Sequence, residues 1–128
     1  MLTRKKKTTS RTDFPTGIVV KTETGYWYIN GNVRKPVWNT RILKTWDFPI
    51  VVEYTEHSLS SFKKGTPLGF RPGSLIRDIS DGKIYLIEKG LRRLIVSPES
   101  LALLDRKRSD ALWVSHNEVL LHKQGEDF

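Results

Sequence analysis

The sequence contains two related halves, and this internal repeat constrains the fold more than any other feature. Shifting the 128-residue chain by 59 or 60 positions aligns the segment that begins GIVVKTETGYWYINGNVRKPVW with the one that begins GSLIRDISDGKIYLIEKGLRRLIV. Both segments contain an apolar strand, a turn, a Tyr-containing strand and a second turn. This turn ends in Gly31 or Gly90, and the strand after it carries Arg34 or Arg93. The pattern predicts a three-stranded antiparallel meander in each half.

Glycine-containing dipeptides mark the turns of these meanders. Asn30-Gly31 and Asp81-Gly82 supply the positive φ values that tight hairpins require. Lys89-Gly90 can do the same, although lysine is less suited than asparagine to a positive φ. The turn chemistry therefore supports the predicted strand pairs.

A short helix is predicted after each meander. Ser97 is a suitable N-cap with Pro98 at the first helical position, and in the first half either Asn39 or Thr40 can cap the helix. The apolar pairs Leu101 and Leu104, and Ile42 and Trp46, would each lie on one side of a helix. Further along, Ser115 and Glu118 form a capping box, which predicts a last helical turn there.

These patterns together predict an α+β protein of tandem duplicated units, each a three-stranded antiparallel β-meander followed by a short helix. We assign residues 15–65 to unit 1 and 66–128 to unit 2. Units of this size bury little apolar surface alone, so we expect them to share one compact body. One face of each sheet should cover its own helix, and the other should meet the second unit or another subunit. Trp27 and its counterpart Leu86 would belong to this second face.

Residues 1–14 form a basic N-terminal arm. The arm carries five cationic side chains against the single carboxylate of Asp13, a net charge of +4 out of the total of +8. Such a short polar segment cannot fold alone, so it should be disordered unless an acidic partner or a neighbouring subunit holds it. The candidate partner- or phosphate-binding residues are Arg4, Lys5, Lys6, Lys7 and Arg11.

Composition excludes several classes of protein. The chain has no cysteine, so disulfides, thiol catalysis and cysteine-ligated zinc are ruled out. The positively charged start is not followed by the apolar stretch of a signal peptide, and no apolar run is long enough to span a bilayer. We therefore expect a protein that is made in a cytoplasm and has no membrane partner.

No catalytic or metal site is visible in the sequence. The histidines are His57, His116 and His122, and their spacing does not match a metal-binding helix face, so surface or capping roles are expected. Asp78 and Asp81 lie near a hairpin turn, where aspartate makes local hydrogen bonds. There is no Gly-rich phosphate loop and no activated nucleophile. We expect neither enzymatic activity nor a cofactor.

The second half combines a hairpin, a Ser-Pro helix start and a capping box in one pattern. The residues of this pattern are Tyr85, Leu86, Gly90, Arg93, Ser97, Pro98, Ser115 and Glu118. The pattern resembles a β-hairpin and helix repeat of bacterial surface and exported proteins and of structural proteins of tailed phages. The resemblance covers most of residues 17 to 125, and the first copy matches it more loosely. It implies a non-catalytic module for adhesion or assembly and carries over no binding residues.

The leading functional hypothesis is a structural protein of a tailed-phage particle, a head or tail accessory subunit that is built in the host cytoplasm and carried in the virion. Its interface aromatics would be Trp27, Trp38 and Trp113, because interface cores favour such residues. An alternative is a small basic nucleic-acid-binding protein in which Tyr26 or Tyr28 stacks on bases. A weaker alternative is a cell-wall or carbohydrate-binding module, suggested by the aromatic content and by the surface-exposed members of the repeat family.

Overall fold

The computed structural model describes residues 14–48 and 50–128, which divide into two compact units. Unit 1 extends to Leu68, and unit 2 runs from Gly69 to Phe128. Each unit is an α+β structure with one five-stranded mixed sheet and short helices. The cationic residues of the predicted arm lie outside the described residues. Within the described ranges, no helix combines the length and the hydrophobicity needed to span a bilayer.

The strands and the first helix follow the same order in both units, but unit 2 has an additional 3₁₀ turn before β9 and an α-helix where unit 1 has a 3₁₀ turn. Unit 1 contains β1 (Val19–Thr22), β2 (Gly25–Asn30), β3 (Val33–Val37), α1 (Thr40–Thr45), β4 (Val51–Glu53), a 3₁₀ turn (Glu56–Leu59) and β5 (Lys63–Lys64). Unit 2 contains β6 (Leu75–Asp78), β7 (Ile84–Glu88), β8 (Leu91–Leu94), α2 (Pro98–Leu103), a 3₁₀ turn (Arg108–Asp110), β9 (Leu112–Val114), α3 (His116–Val119) and β10 (Lys123–Gln124).

The predicted meander forms the centre of each sheet, but it is not the whole sheet. In unit 1 the strand order is β4-β1-β2-β3-β5, and in unit 2 it is β9-β6-β7-β8-β10. The three central strands pair antiparallel, whereas both edge strands pair parallel to their neighbours. The prediction of a purely antiparallel meander is therefore corrected to a mixed sheet. After the helix of each unit, β4 or β9 returns to the sheet and pairs parallel with β1 or β6 at one edge.

Strand register gives the residue correspondence between the units. Arg34 pairs with Ile29 just after the β2–β3 turn, and Arg92 pairs with Ile87 at the same distance from the β7–β8 turn. By this count Trp27 corresponds to Tyr85. The predicted counterparts, Leu86 for Trp27 and Arg93 for Arg34, are each displaced by one position. Because side chains alternate along a strand, a shift of one residue moves a side chain to the opposite face of the sheet.

The corrected register explains where the core of unit 1 lies. Trp27 packs with Val20, Ile29 and Leu59, and Leu59 comes from the 3₁₀ turn of the same unit. Trp27 is only 8% exposed. Since this face of the sheet is covered by residues of unit 1 itself, Trp27 offers almost no surface to a partner. The assignment of Trp27 as an interface aromatic is corrected accordingly.

The core of unit 2 includes the helix-covered face of its sheet. Leu86 lies on this face, where it belongs to one cluster with Leu75, Ile84 and Leu101 of α2. Leu86 was predicted to lie on the opposite face from the helix, and this prediction is wrong because of the one-residue shift in register.

The predicted helix caps are confirmed. The Asn39 side chain accepts a hydrogen bond from the backbone N–H of Ile42 at 3.0 Å, which decides between the two predicted caps of α1. Ser97 accepts from the N–H of Ser100 at 3.3 Å with Pro98 in the first turn. The capping box at Ser115 forms in full and begins α3. Local side-chain chemistry was therefore sufficient to place all three helix starts.

The β7–β8 turn contains a strained residue that predicts a stabilising substitution. Lys89 has φ of 53°, a left-handed conformation that disfavours lysine, and Gly90 follows with φ of 78°. Lys89→Asn creates the Asn-Gly pair that such turns prefer, and we expect it to raise the free energy of unfolding by about 0.5–1 kcal/mol. Thermal unfolding followed by circular dichroism measures the change. Lys123→Asn, an exposed lysine in an extended strand, should give no gain; an equal gain in this control would contradict the explanation.

Candidate binding surface

An exposed apolar side chain occurs at the same place in both units. Trp38 lies directly before the N-cap Asn39 of α1, and Val96 lies directly before the N-cap Ser97 of α2. Trp38 is 49% exposed and Val96 is 58% exposed. Single exposed hydrophobic residues are common and need no explanation, but recurrence at one structural position in both units is a more specific observation.

A second exposed aromatic residue lies on the edge strand of unit 2. Trp113 of β9 is 50% exposed and pairs with Arg77 of β6 in the parallel ladder. The guanidinium carbon of Arg77 lies 4.4 Å from the centroid of the indole ring, a cation–π geometry. The Arg77 Nε donates a hydrogen bond to the carbonyl of Gly82 at 3.1 Å. Arg77 is therefore held between Trp113 and the β6–β7 connection.

Gly82 is also one of the residues that line a pocket. Its volume is about 170 Å³, and most of its lining side chains are apolar. Two of them, Lys83 and Arg108, are cationic, and none of the described residues that line it is acidic. The lining residues are Gly82, Lys83, Ile84, Leu94, Ile95, Val96, Ser97, Pro98, Leu101 and Arg108. The pocket thus combines an apolar interior with positive charge.

Unit 1 contains a partly buried ion pair between its sheet and its 3₁₀ turn. Arg34 forms a salt bridge with Glu56 and places its guanidinium 4.4 Å from the centroid of the Trp27 ring. Burial raises the pKa of Glu56, but hydrogen bonds from Thr24, Arg34 and Thr22 and the charge of Arg34 outweigh it, so the pKa lies below its usual value. The cluster ties β1 and β3 to the 3₁₀ turn.

A different pair occupies the corresponding place in unit 2. The buried carboxylate of Asp78 lies 2.7 Å from Nδ1 of the exposed His116, and its other oxygen accepts from the hydroxyl of Ser80 at 2.7 Å. Burial raises the pKa of Asp78, yet the bonds from His116 and Ser80 bring it below the usual value. The described residues contain no group of three or more His, Cys, Asp or Glu side chains arranged to hold a metal ion.

His122 was predicted to have a surface or capping role, and the structure corrects this prediction. The ring is buried: Nε2 accepts from the backbone N–H of Phe70 at 2.9 Å, and Nδ1 lies 2.8 Å from the carbonyl oxygen of Gly90. A Cβ at Gly69 would lie 2.5 Å from Cε1 of the ring, so glycine is needed there. Burial lowers the pKa of His122, the bond to Gly90 partly offsets this, and the charge of Arg92 lowers it further.

The predicted site residues have different outcomes. Trp38 and Trp113 are exposed and remain available to a partner, whereas Trp27 is in the core. Tyr28, a predicted base-stacking residue, packs against the ring of Phe48 with centroids 5.3 Å apart. The arm residues Arg4, Lys5, Lys6, Lys7 and Arg11 lie outside the described part of the chain.

Sequence reasoning missed the pocket and the contact between Arg77 and Trp113. These two residues are far apart in the sequence and become neighbours only through the parallel pairing of β6 and β9. No periodic pattern or motif links such residues, so the sequence carried no signal for this site.

Comparison with models of known protein families, with curated proteins and with solved structures finds no match to this chain.

Proposed function

We propose that the chain is a non-catalytic assembly protein of a tailed-phage particle, a head or tail accessory subunit that binds neighbouring subunits through its two units and its basic arm. The observation that carries the proposal is the recurrence of an exposed apolar residue, Trp38 or Val96, immediately before a helix cap in each unit. When a partner covers exposed apolar side chains of this kind, their burial stabilises the complex.

The shared strand order supports the proposal. We infer that the two units are tandem copies of one ancestral unit, because their element order, edge-strand directions and capped helices correspond. Two similar surfaces on one chain allow bivalent attachment, in which the second contact forms at a high effective concentration. Bivalent attachment suits a subunit that decorates or links a repeating particle.

The assignment to a phage particle rests on the resemblance of the second half to repeats in tailed-phage structural proteins. The arm adds a second element, because its five cations would contact acidic surfaces of neighbouring subunits. A cationic arm and two apolar contact points together describe a protein that binds rather than reacts.

Substitution of the two recurrent residues should reduce incorporation into particles. We expect Trp38→Ser to lower subunit occupancy about tenfold or more, since a buried interface tryptophan contributes about 2 kcal/mol or more. Val96→Ser should have a smaller effect because valine buries less area, and the double variant should be nearly absent. Occupancy is measured by quantitative mass spectrometry of purified particles.

Ile79→Ser provides the matched control. Ile79 is also an exposed apolar residue, but it does not recur in unit 1. The corresponding position there, directly after Thr22, is Glu23. Particles should contain this variant at the wild-type level. Absence of the wild-type chain from the particles, or full occupancy by the double variant, would overturn the proposal.

A further inference from the structure

We propose that the pocket of unit 2 binds an acidic segment of another protein chain and takes up a bulky apolar side chain of that segment. The inference deepens the proposed assembly function, on which it rests, by naming the chemistry of one partner. It depends on three features of the described residues: the interior of the pocket, the charges around it, and the different structure of the corresponding face in unit 1.

The interior of the pocket suits a ring or a branched aliphatic group. Among its lining residues, Ile84 and Leu101 are buried core residues, whereas Val96 and Pro98 are exposed. The volume of about 170 Å³ is close to that of an apolar protein cavity of about 150 Å³ that accommodates benzene. A phenylalanine or leucine side chain of a partner would therefore fit.

The charges around the pocket favour an anionic segment. Lys83 and Arg108 line it, and Arg77 is fixed beside it by its hydrogen bond to Gly82. The two acidic residues nearest in sequence to the lining are Asp81 and Glu99; Asp81 accepts a hydrogen bond from the backbone N–H of Lys83, and neither residue lines the pocket. Three cations beside an apolar cavity attract carboxylates that flank an inserted side chain.

Unit 1 covers the corresponding face with its own aromatic side chains. Tyr28 occupies the strand position of Leu86, and its ring packs against Phe48, which in turn stacks on Trp46 with centroids 5.6 Å apart. In unit 2, Phe128 packs against the Leu86 cluster from within the unit, while Ile84 and Leu101 of the same cluster line the open pocket.

A protein segment fits this surface better than a nucleic acid does. Single-stranded nucleic acids bind to open aromatic faces along a charged groove. Here the guanidinium of Arg77 already covers one face of Trp113, and the concave part of the surface is lined mainly by aliphatic side chains. Nucleic-acid binding is kept as an alternative outcome of the test.

The test uses NMR titration of the ¹⁵N-labelled full chain with the peptide acetyl-Glu-Asp-Phe-Asp-Glu-amide. We expect saturable shifts of the amides of Ile84 and Val96 and of the Trp113 indole. The double variant Lys83→Gln and Arg108→Gln should weaken binding about tenfold, the equivalent of one charge-assisted contact. The variant Lys123→Gln removes an exposed lysine that does not line the pocket and should bind as the wild type does.

Several outcomes would overturn the proposal. They are equal binding of a peptide with serine in place of phenylalanine, equal binding of a peptide with glutamine and asparagine in place of the acids, and no binding at all. Saturable binding of oligo-dT at the same residues, without peptide binding, would show that the partner of this pocket is a nucleic acid and not a protein segment. If the peptide fails while the Trp38→Ser and Val96→Ser variants are lost from particles, the assembly function stands and only this partner is rejected.

Discussion

Glu56→Gln is expected to destabilise unit 1 by about 3 kcal/mol, the low end of the range for breaking a buried ion pair. The reason is the unequal exposure of the two partners. The side chain of Arg34 is 7% exposed and that of Glu56 is 29% exposed. Loss of the carboxylate charge leaves a buried guanidinium without a counter-ion, and the Nε of Arg34 already has no hydrogen-bond partner among the described residues.

Removal of the other partner should have a smaller effect. Arg34→Met keeps apolar contact with the Trp27 ring and leaves Glu56, which can be hydrated and retains its bonds to Thr22 and Thr24. We expect the free energy of unfolding of this variant to fall by about 1 kcal/mol, because methionine packs as the arginine stem does. In the Arg34→Met background, Glu56→Gln should then have little further effect.

The wild type, the two single variants and the double variant form a double-mutant cycle. Their urea unfolding is monitored by tryptophan fluorescence, because Trp27 lies against the Arg34 guanidinium. Glu53→Gln, a carboxylate on the edge strand β4, is the matched control and should change the free energy of unfolding little. Additive effects of the two substitutions would show that the ion pair does not couple β3 to the 3₁₀ turn.

The second large effect concerns pH. Stability of unit 2 should fall as the pH drops below about 6.5, the usual pKa of histidine. The folded-state pKa of His122 is lowered, so between the folded and unfolded pKa values the unfolded chain binds more protons. The contribution of His122 to stability is therefore present above pH 6.5 and is lost at up to about 1.4 kcal/mol per pH unit until the folded pKa is reached.

The structural reason is the hydrogen bond at Nε2. A proton on this nitrogen removes the acceptor for the Phe70 N–H. The segment around Phe70 would then lose its link through His122 to Gly90 in the β7–β8 turn. Hydrogen exchange of the Phe70 amide at pH 7 and pH 5.5, corrected for intrinsic rates, measures this directly. We expect protection to decrease at the lower pH.

His122→Gln and His57→Gln complete the pH test. His122→Gln removes the titrating group and should abolish the part of the pH dependence that this residue causes. His57 is an exposed histidine of unit 1, so His57→Gln should leave the pH dependence of Phe70 exchange unchanged. Unaltered pH dependence in His122→Gln would show that a different group controls the loss of protection.

The sequence was most informative where one residue acts on its own backbone. Asn39, Ser97 and Ser115 each cap the next few residues, so their types were enough to predict the helix starts. The glycine-containing turns likewise predicted the central antiparallel strands. The sequence was less informative about the sheet edges, because β4 and β9 are three residues long and pair with strands far away in the chain.

The repeat in the sequence was sufficient to predict two units of similar element order, because hydrophobic strands, turns and caps are local signals that are copied with the chain. Only the tertiary structure decided which face Trp27 and Leu86 occupy, since a single-residue difference in register reverses the direction of every side chain. It also placed His122 in the interior and brought Arg77 and Trp113 into contact. Contacts of this kind depend on long-range pairing, and a linear pattern does not encode them locally.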